Sequence, residues 1–492
     1  MTTSTIKAGR REWTGLAVLA LPALLASLEL TVTNLAVPAI GKDLGASSTQ
    51  LLWIVDIYAF LLSGSLITMG AWGDRIGRRR LLLIGAAAYG LVSVMAAYAP
   101  DAGSLIVARA LMGMAGATLM PSTLSLATSM FTDARQRAVA IGVIVASVSG
   151  GTAIGPLVGG WLLDRFWWGS AFLPAVPVMV VLLALGPWLL PEHRDVGAGR
   201  LDLVSALLSL AAVLPVVYGL KQLAADGLTA PSVAAIVVGA ALAWVFIGRQ
   251  RRLADPFVDL RLFSDRTFSV AAATLALGIF VLWGSNYAIA QYLQLVHGMS
   301  PLEAGLWTAP PAVGVIVGST LAPRVARLVR PPLVIGVGLG VSAVGYVVLT
   351  QTGGLSVLIT GAVVVSAGLG PMMALATDMV VGSAPAERAG AAAAISSTAP
   401  QLGGALGIAL LGSVITATYR AELSTAAVPD DGARDSLSAA VALAPGLPTE
   451  SAAELLGAAR AAFIDGFHVA ACVSAVLMAA IALLVVTLLR RR

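Results

Sequence analysis

The sequence predicts an all-α integral membrane protein of fourteen transmembrane helices with both termini in the cytoplasm. Three observations carry this. Of 492 residues, 58% are hydrophobic and only 11% charged, with a mean hydropathy of +0.91, whereas a soluble domain carries roughly 25% charge. The apolar residues fall in runs long enough to cross a hydrocarbon slab of about 30 Å, separated by polar or helix-breaking gaps. Basic residues alternate between those gaps. With the N-terminus inside, about 23 of the 30 Lys and Arg lie in cytoplasmic gaps, about 6 in external ones, and Arg109 lies within a span, as the positive-inside rule requires.

The spans lie near 13–40, 49–72, 81–98, 104–130, 137–163, 168–190, 201–221, 229–248, 267–296, 302–325, 331–350, 355–383, 389–418 and 466–489. Six spans, a pair and six more divide the chain into an N-terminal bundle (13–190), an inserted pair with its cytoplasmic connector (191–265) and a C-terminal bundle (266–489). The last external gap, 420–465, is long, and short helical patterns over 436–443 and 450–463 leave two readings open there, a small helical hairpin and a loose Ala-rich loop. Trp13, Trp72, Trp161, Trp167, Trp168 and Trp188 fall near span ends, as interfacial anchors do.

Several classes are excluded. The net charge of +5 is dispersed between apolar runs, a topology signal and not a nucleic-acid footprint. The single cysteine, Cys472, precludes an intrachain disulfide, and the first apolar run is too long for a cleavable signal peptide. None of the three lysines (Lys7, Lys42, Lys221) follows a phosphate loop, which argues against an ATP-driven pump. His193, His297 and His468 share no metal-ligand spacing, so no metal, cofactor or enzymatic activity is expected. A non-transporting receptor or scaffold would not need the buried charges described next.

The first span carries a carboxylate, Glu29, about sixteen residues past Trp13, or roughly 24 Å along the helix and well inside the slab. A charge at that depth costs on the order of 2.5–3.5 kcal/mol on the most lenient scale, so it is paired or used. Helix rise places Asp56 roughly 10 Å, Arg109 about 8 Å and Glu29 about 14 Å below the outer ends of their spans, depths that permit one cluster in the first bundle. Asp378 is a further acid near the cytoplasmic end of its span, a candidate guard of the inner mouth. Aromatic groups bind apolar cations by stacking and cation–π attraction. Trp283, Tyr287 and Tyr292 are candidates for this, with Tyr58 weaker, and Asn34, Asn286, Gln291 and Gln294 supply polar contacts.

Four motifs resemble those of the major facilitator superfamily. The gap after span two reads Gly70-Ala-Trp-Gly-Asp74-Arg75-Ile-Gly77-Arg78-Arg-Arg and resembles that family's cytoplasmic gating loop. Arg109-Ala-Leu-Met-Gly113-Met-Ala-Gly116 is similar to its fourth-helix motif, in which an embedded arginine is tied to proton transfer. Gly151-Thr-Ala-Ile-Gly155-Pro156-Leu-Val-Gly159-Gly160 resembles the antiporter motif, whose glycines permit close helix approach and whose proline weakens the helix. Leu28-Glu29-Leu-Thr-Val-Thr-Asn34-Leu-Ala-Val-Pro38 is similar to the signature of fourteen-helix drug:proton antiporters, the Qac-type multidrug exporters.

The resemblance implies a major facilitator fold in a bacterial cell membrane, monomeric in its lipid bilayer. It also implies proton-coupled export of lipophilic organic cations (dyes, quaternary ammonium compounds, fluoroquinolones) by alternating access. Glu29, Asp56 and Arg109 would couple protons, and which acid is the main carrier stays open. The alternative is a major facilitator that exports an endogenous metabolite such as an antibiotic, amino acid or lipid-like molecule. Two departures from the Qac pattern bear on substrate charge: Val315, and Ser396, Ser397 and Gln401, stand where the dication exporter is acidic. Monovalent cations are therefore the expected substrates.

Overall fold

A computed structural model describes residues 8–131, 133–192, 202–253, 256, 258–385, 388–424 and 431–489. The N-terminal bundle comprises α1 (Arg10–Leu44), α2 (Ser48–Ile76), α3 (Arg78–Ala97), α4 (Ala102–Met130), α5 (Ala134–Arg165) and α6 (Ala175–Leu189). The inserted pair is α7 (Leu203–Asp226) and α8 (Ala230–Arg252). The C-terminal bundle contains α9 (Arg266–Gln291, prolonged by a π turn over Tyr292–Val296), α10 (Pro301–Trp307), α11 (Ala309–Val325), α12 (Pro331–Leu349), α13 (Leu355–Gly382), α14 (Ala389–Ser424), a short α15 (Leu437–Leu443) and α16 (Thr449–Leu488). Among the described residues, thirteen helices are long and apolar enough to cross a membrane, or fourteen when the bent α5 is counted as one span.

Local chemistry sets these boundaries. Ser47 with Gln50, Thr229 with Ser232, and Ser300 with Glu303 form capping boxes that satisfy the first backbone N–H groups of α2, α8 and α10. Gly45 ends α1 in the left-handed conformation. The α5 bend of 41° lies between Thr152 and Ile154. Pro156 explains it: a proline ring clashes with the carbonyl four residues earlier, here that of Thr152.

Two expectations are corrected. The segment 450–463 is not a separate hairpin helix. It is the first part of α16, a 40-residue helix about 60 Å long, whose Leu455, Ala459 and Phe463 pack into the C-terminal core, and α15 folds back beside it. Trp168 is buried, T-shaped against Phe172, and not an interfacial anchor. Residues 193–201 of the connector and 425–430 of the last loop lie outside the described residues.

Each bundle has its own apolar core. A third, smaller cluster (Ala59, Phe60, Val217, Ala405, Ala409) lies where α2, α7 and α14 meet, so the inserted helix wedges between the bundles. The bundles are joined chiefly through α2–α14, α5–α10 and α1–α9. These seams cluster at the arginine-poor end, where the amide of Gln294 donates to the Leu35 carbonyl (3.0 Å) and Leu302 N–H donates to Asp164 (3.4 Å). At the opposite end Arg249 holds Asp202 at 2.9 Å and Gln250 donates to Ser205 at 2.7 Å, locking α7 to α8. Burial pushes the Asp202 carboxyl up, but its Ser205 hydrogen bonds and the Arg249 guanidinium outweigh that and hold it below its ordinary value.

Candidate functional site

Glu29 and Arg109 meet as expected. The Arg109 Nη1 donates to Glu29 Oε1 at 2.7 Å, and the two side chains are 0% (Arg109) and 3% (Glu29) exposed. Tyr89 of α3 donates its hydroxyl to the other carboxylate oxygen, and Arg109 Nε donates to the Ile54 carbonyl of α2 at 3.0 Å. The guanidinium lies 4.5 Å from the Tyr58 ring centre and 5.5 Å from that of Phe172. Four helices therefore converge on one ion pair. The α4 glycines permit this, because a Cβ at Gly113 would overlap the Tyr58 carbonyl and one at Gly116 would lie 3.0 Å from Leu62. Buried pairs of this kind contribute little net stability, but loss of either partner strands a charge at a cost of about 3–5 kcal/mol.

Asp56 does not join that cluster. Its carboxylate lies 2.7 Å from the Lys221 ammonium of α7, with side chains 0% and 1% exposed. Residues two apart on a helix face nearly opposite ways, so α2 offers its Ile54 carbonyl to Arg109 and its Asp56 to the inserted helix. Lys221 also lies 3.8 Å from the Trp53 ring centre. The sequence reading set Lys221 at the outer end of its span; α7 continues to Asp226 and buries it. The signal that singled out Glu29, a lone charge in an apolar run, applies equally to Lys221. Tyr89 carried no comparable signal.

The expected substrate contacts separate into three sets. Trp283 is half-buried, seated on Gly404 of α14, and borders all three apolar clusters at the junction of the bundles. Tyr287 and Gln291 line a cleft at the arginine-poor end with Ser48, Leu51 and Gly412. Asn34 Oδ1 is buried with no hydrogen-bond partner among the described residues, and Asn286 is exposed. Tyr58 is a correction: it is buried beneath Arg109 and positions that residue. Gln294 is engaged as the clamp on Leu35, and Tyr292 packs against Phe467 in the C-terminal core. Asp378 is exposed on α13.

The glycine-rich antiporter segment forms a two-sided seam. Cβ atoms at Gly151 and Gly155 would overlap the Leu24 carbonyl and Thr31 hydroxyl of α1, and one at Gly159 would sit 2.8 Å from Val32. On the other side, a Cβ at Gly160 would lie 2.6 Å from the Leu302 Cα, and Gly305 of α10 abuts the Pro156 carbonyl. This segment thus closes the arginine-poor end. In the gating loop, Gly70 faces Pro121, Arg75 is half-buried, and Asp74 pairs with Arg78 at 2.6 Å. Gly77 adopts φ +109° against Glu192, which also contacts Arg79 at 3.4 Å. These contacts all lie within the N-terminal half.

A model of the family described as Major Facilitator Superfamily matches residues 19–408. The chain belongs to that superfamily. The major facilitator fold is matched by the structure titled as a bacterial homolog to human lysosomal transporter Spinster in an inward-facing and unoccupied conformation. Its TM-score is 0.72, with 19% identity and coverage of 99% of both chains. Among curated relatives, Multidrug efflux pump LfrA of Mycolicibacterium smegmatis is 43% identical over 497 residues, covering 100% of this chain and 99% of that protein. Methyl viologen resistance protein SmvA of Salmonella typhimurium is 34% identical over 476 residues, 94% of each. This major facilitator is a multi-pass protein of the bacterial plasma membrane and not an enzyme, and its relatives support drug efflux as its broad function.

Proposed function

We propose that the protein is a proton-coupled multidrug efflux antiporter that exports monovalent lipophilic organic cations, with both termini cytoplasmic and its arginine-poor end outside. The observation that carries this reading is the buried Glu29–Arg109 pair with Tyr89 on the second carboxylate oxygen. A carboxylate in hydrocarbon is favoured only while a counter-charge faces it. Protonation of Glu29 cancels its attraction for Arg109, and deprotonation restores it, so the proton acts directly on the packing of α1 against α4.

Closure at the arginine-poor end supports a state that receives substrate from the cytoplasm, consistent with an ionised Glu29. A drug cation binds at the bundle junction bordered by Trp283, with Asp56 as its anionic contact. The bundles then rock, and an external proton on Glu29 accompanies release. The coupling is conformational: the proton on Glu29 and the cation at Asp56 act on different carboxylates and favour opposite states of the two bundles.

Everted membrane vesicles containing the protein, energised so that their interior is acidic, should accumulate ethidium, and an uncoupler should discharge it. Accumulation that persists unchanged when the proton gradient is collapsed would rule out the coupling.

A further inference from the structure

The Asp56–Lys221 contact has the composition of an organic-cation site whose cation is supplied by the protein. The ammonium touches a fully buried carboxylate at 2.7 Å and an aromatic face at 3.8 Å, the two recognition elements for an alkylammonium or aromatic cation. Beyond each other, neither the Asp56 carboxylate nor the Lys221 ammonium has another side-chain hydrogen-bond partner among the described residues, so the pair lacks the satisfied network that would make it a favourable permanent feature. The surroundings are apolar and aromatic: Phe60, Val217 and Leu214, with Trp283 on the same cluster. The helix that carries Lys221 contacts both α2 and α14, which places the pair at the junction of the bundles.

We propose that Lys221 is a tethered competitor for the cation site: it occupies Asp56 and Trp53 in the empty transporter and is displaced by the substrate cation. This rests on the cation-export reading above. Displacement has a physical route. Lys221 lies five residues from the α7 terminus at Asp226, about 7.5 Å along the axis, and a lysine stem can carry its ammonium towards the interface while its methylenes stay in apolar surroundings. The competitor also sets substrate charge. With Asp56 neutralised by Lys221, the site accepts one positive charge only by releasing one, which discriminates against dications.

Two measurements on purified protein in lipid nanodiscs test this. Ethidium and the dication methyl viologen are titrated against wild type and Lys221→Met. The variant should bind ethidium at least about tenfold more tightly, equivalent to about 1.4 kcal/mol, and should gain methyl viologen binding. If wild type binds ethidium and a folded Lys221→Met binds it no better, the competitor role is wrong while cation recognition stands. If neither protein binds any cation, the export reading falls and takes the competitor with it. The second measurement needs no variant, which matters if Lys221→Met does not fold. Acylation of the Lys221 amine in wild type, read by peptide mass spectrometry with Lys42 as the exposed reference, should rise several-fold on saturation with ethidium. Reactivity unchanged by bound ethidium overturns the proposal.

Discussion

Glu29→Gln should yield a folded transporter that binds ethidium but no longer exports it against a proton gradient, with gradient-driven flux reduced at least about a hundredfold. Glutamine keeps the length of the side chain, and its carbonyl still accepts from Arg109 Nη1, now 2.7 Å from the carboxylate. It does not carry the charge that a proton must cancel. Removal of one partner of a buried pair costs about 3–5 kcal/mol when the other is stranded, and the retained hydrogen bond places this variant at the lower end. Arg109→Ala lacks that relief and should be far less stable. The check is paired: ethidium binding and ethidium/ethidium exchange persist, whereas uphill transport is lost. Full uphill export by Glu29→Gln would move the carrier role elsewhere, to Asp56 first.

Gly160→Val should trap the transporter open at its arginine-poor end. A Cβ at this position would stand 2.6 Å from the Leu302 Cα and 2.7 Å from the Pro301 carbonyl. Both are backbone atoms of the opposite bundle, which cannot give way as a flexible side chain can. Overpacking of this kind costs about 1–3 kcal/mol. It penalises only the state in which α5 and α10 touch, and about 2.8 kcal/mol converts a 10:1 population into 1:10. Export should fall more than tenfold, while a cysteine at Ser48, which lines the closed cleft, becomes reactive to a membrane-impermeant thiol reagent from outside. The endogenous Cys472 is replaced for this experiment. Unchanged labelling of Ser48→Cys would show that the seam does not govern closure.

What the sequence made legible follows from which forces act locally. Spans are visible because a hydrocarbon solvent demands long apolar runs, and Arg109 and Glu29 because charges there are costly enough to stand out. The glycine segment was legible as a close-packing face, but not as a seam shared by α1 and α10, since helix partners are set by tertiary packing. Depth along each helix was recoverable from residue rise; direction around the axis was used for Tyr58 but not for Asp56. Asp56 therefore seemed to belong with Glu29 and Arg109, although Ile54 and Asp56 face opposite ways on α2 and only one of these faces can look at α4. Lys221 is not legible as a buried charge because apolar content alone ends the span at 221, whereas α7 continues to Asp226 and carries it inside. The continuity of α16 was hidden by the polar residues in 450–465, which set that helical pattern apart from the apolar span it continues into.

The most direct measurement is proton release on drug binding. Ethidium is added to purified protein in weakly buffered solution at about pH 7 while a pH indicator is followed. If a proton on Glu29 and a cation at Asp56 favour opposite conformations, ethidium binding draws the protein into the ionised-Glu29 state and releases protons, and Glu29→Gln releases fewer while still binding. Saturable ethidium binding with no proton release from the wild-type protein at any pH between about 6 and 8 would contradict this coupling.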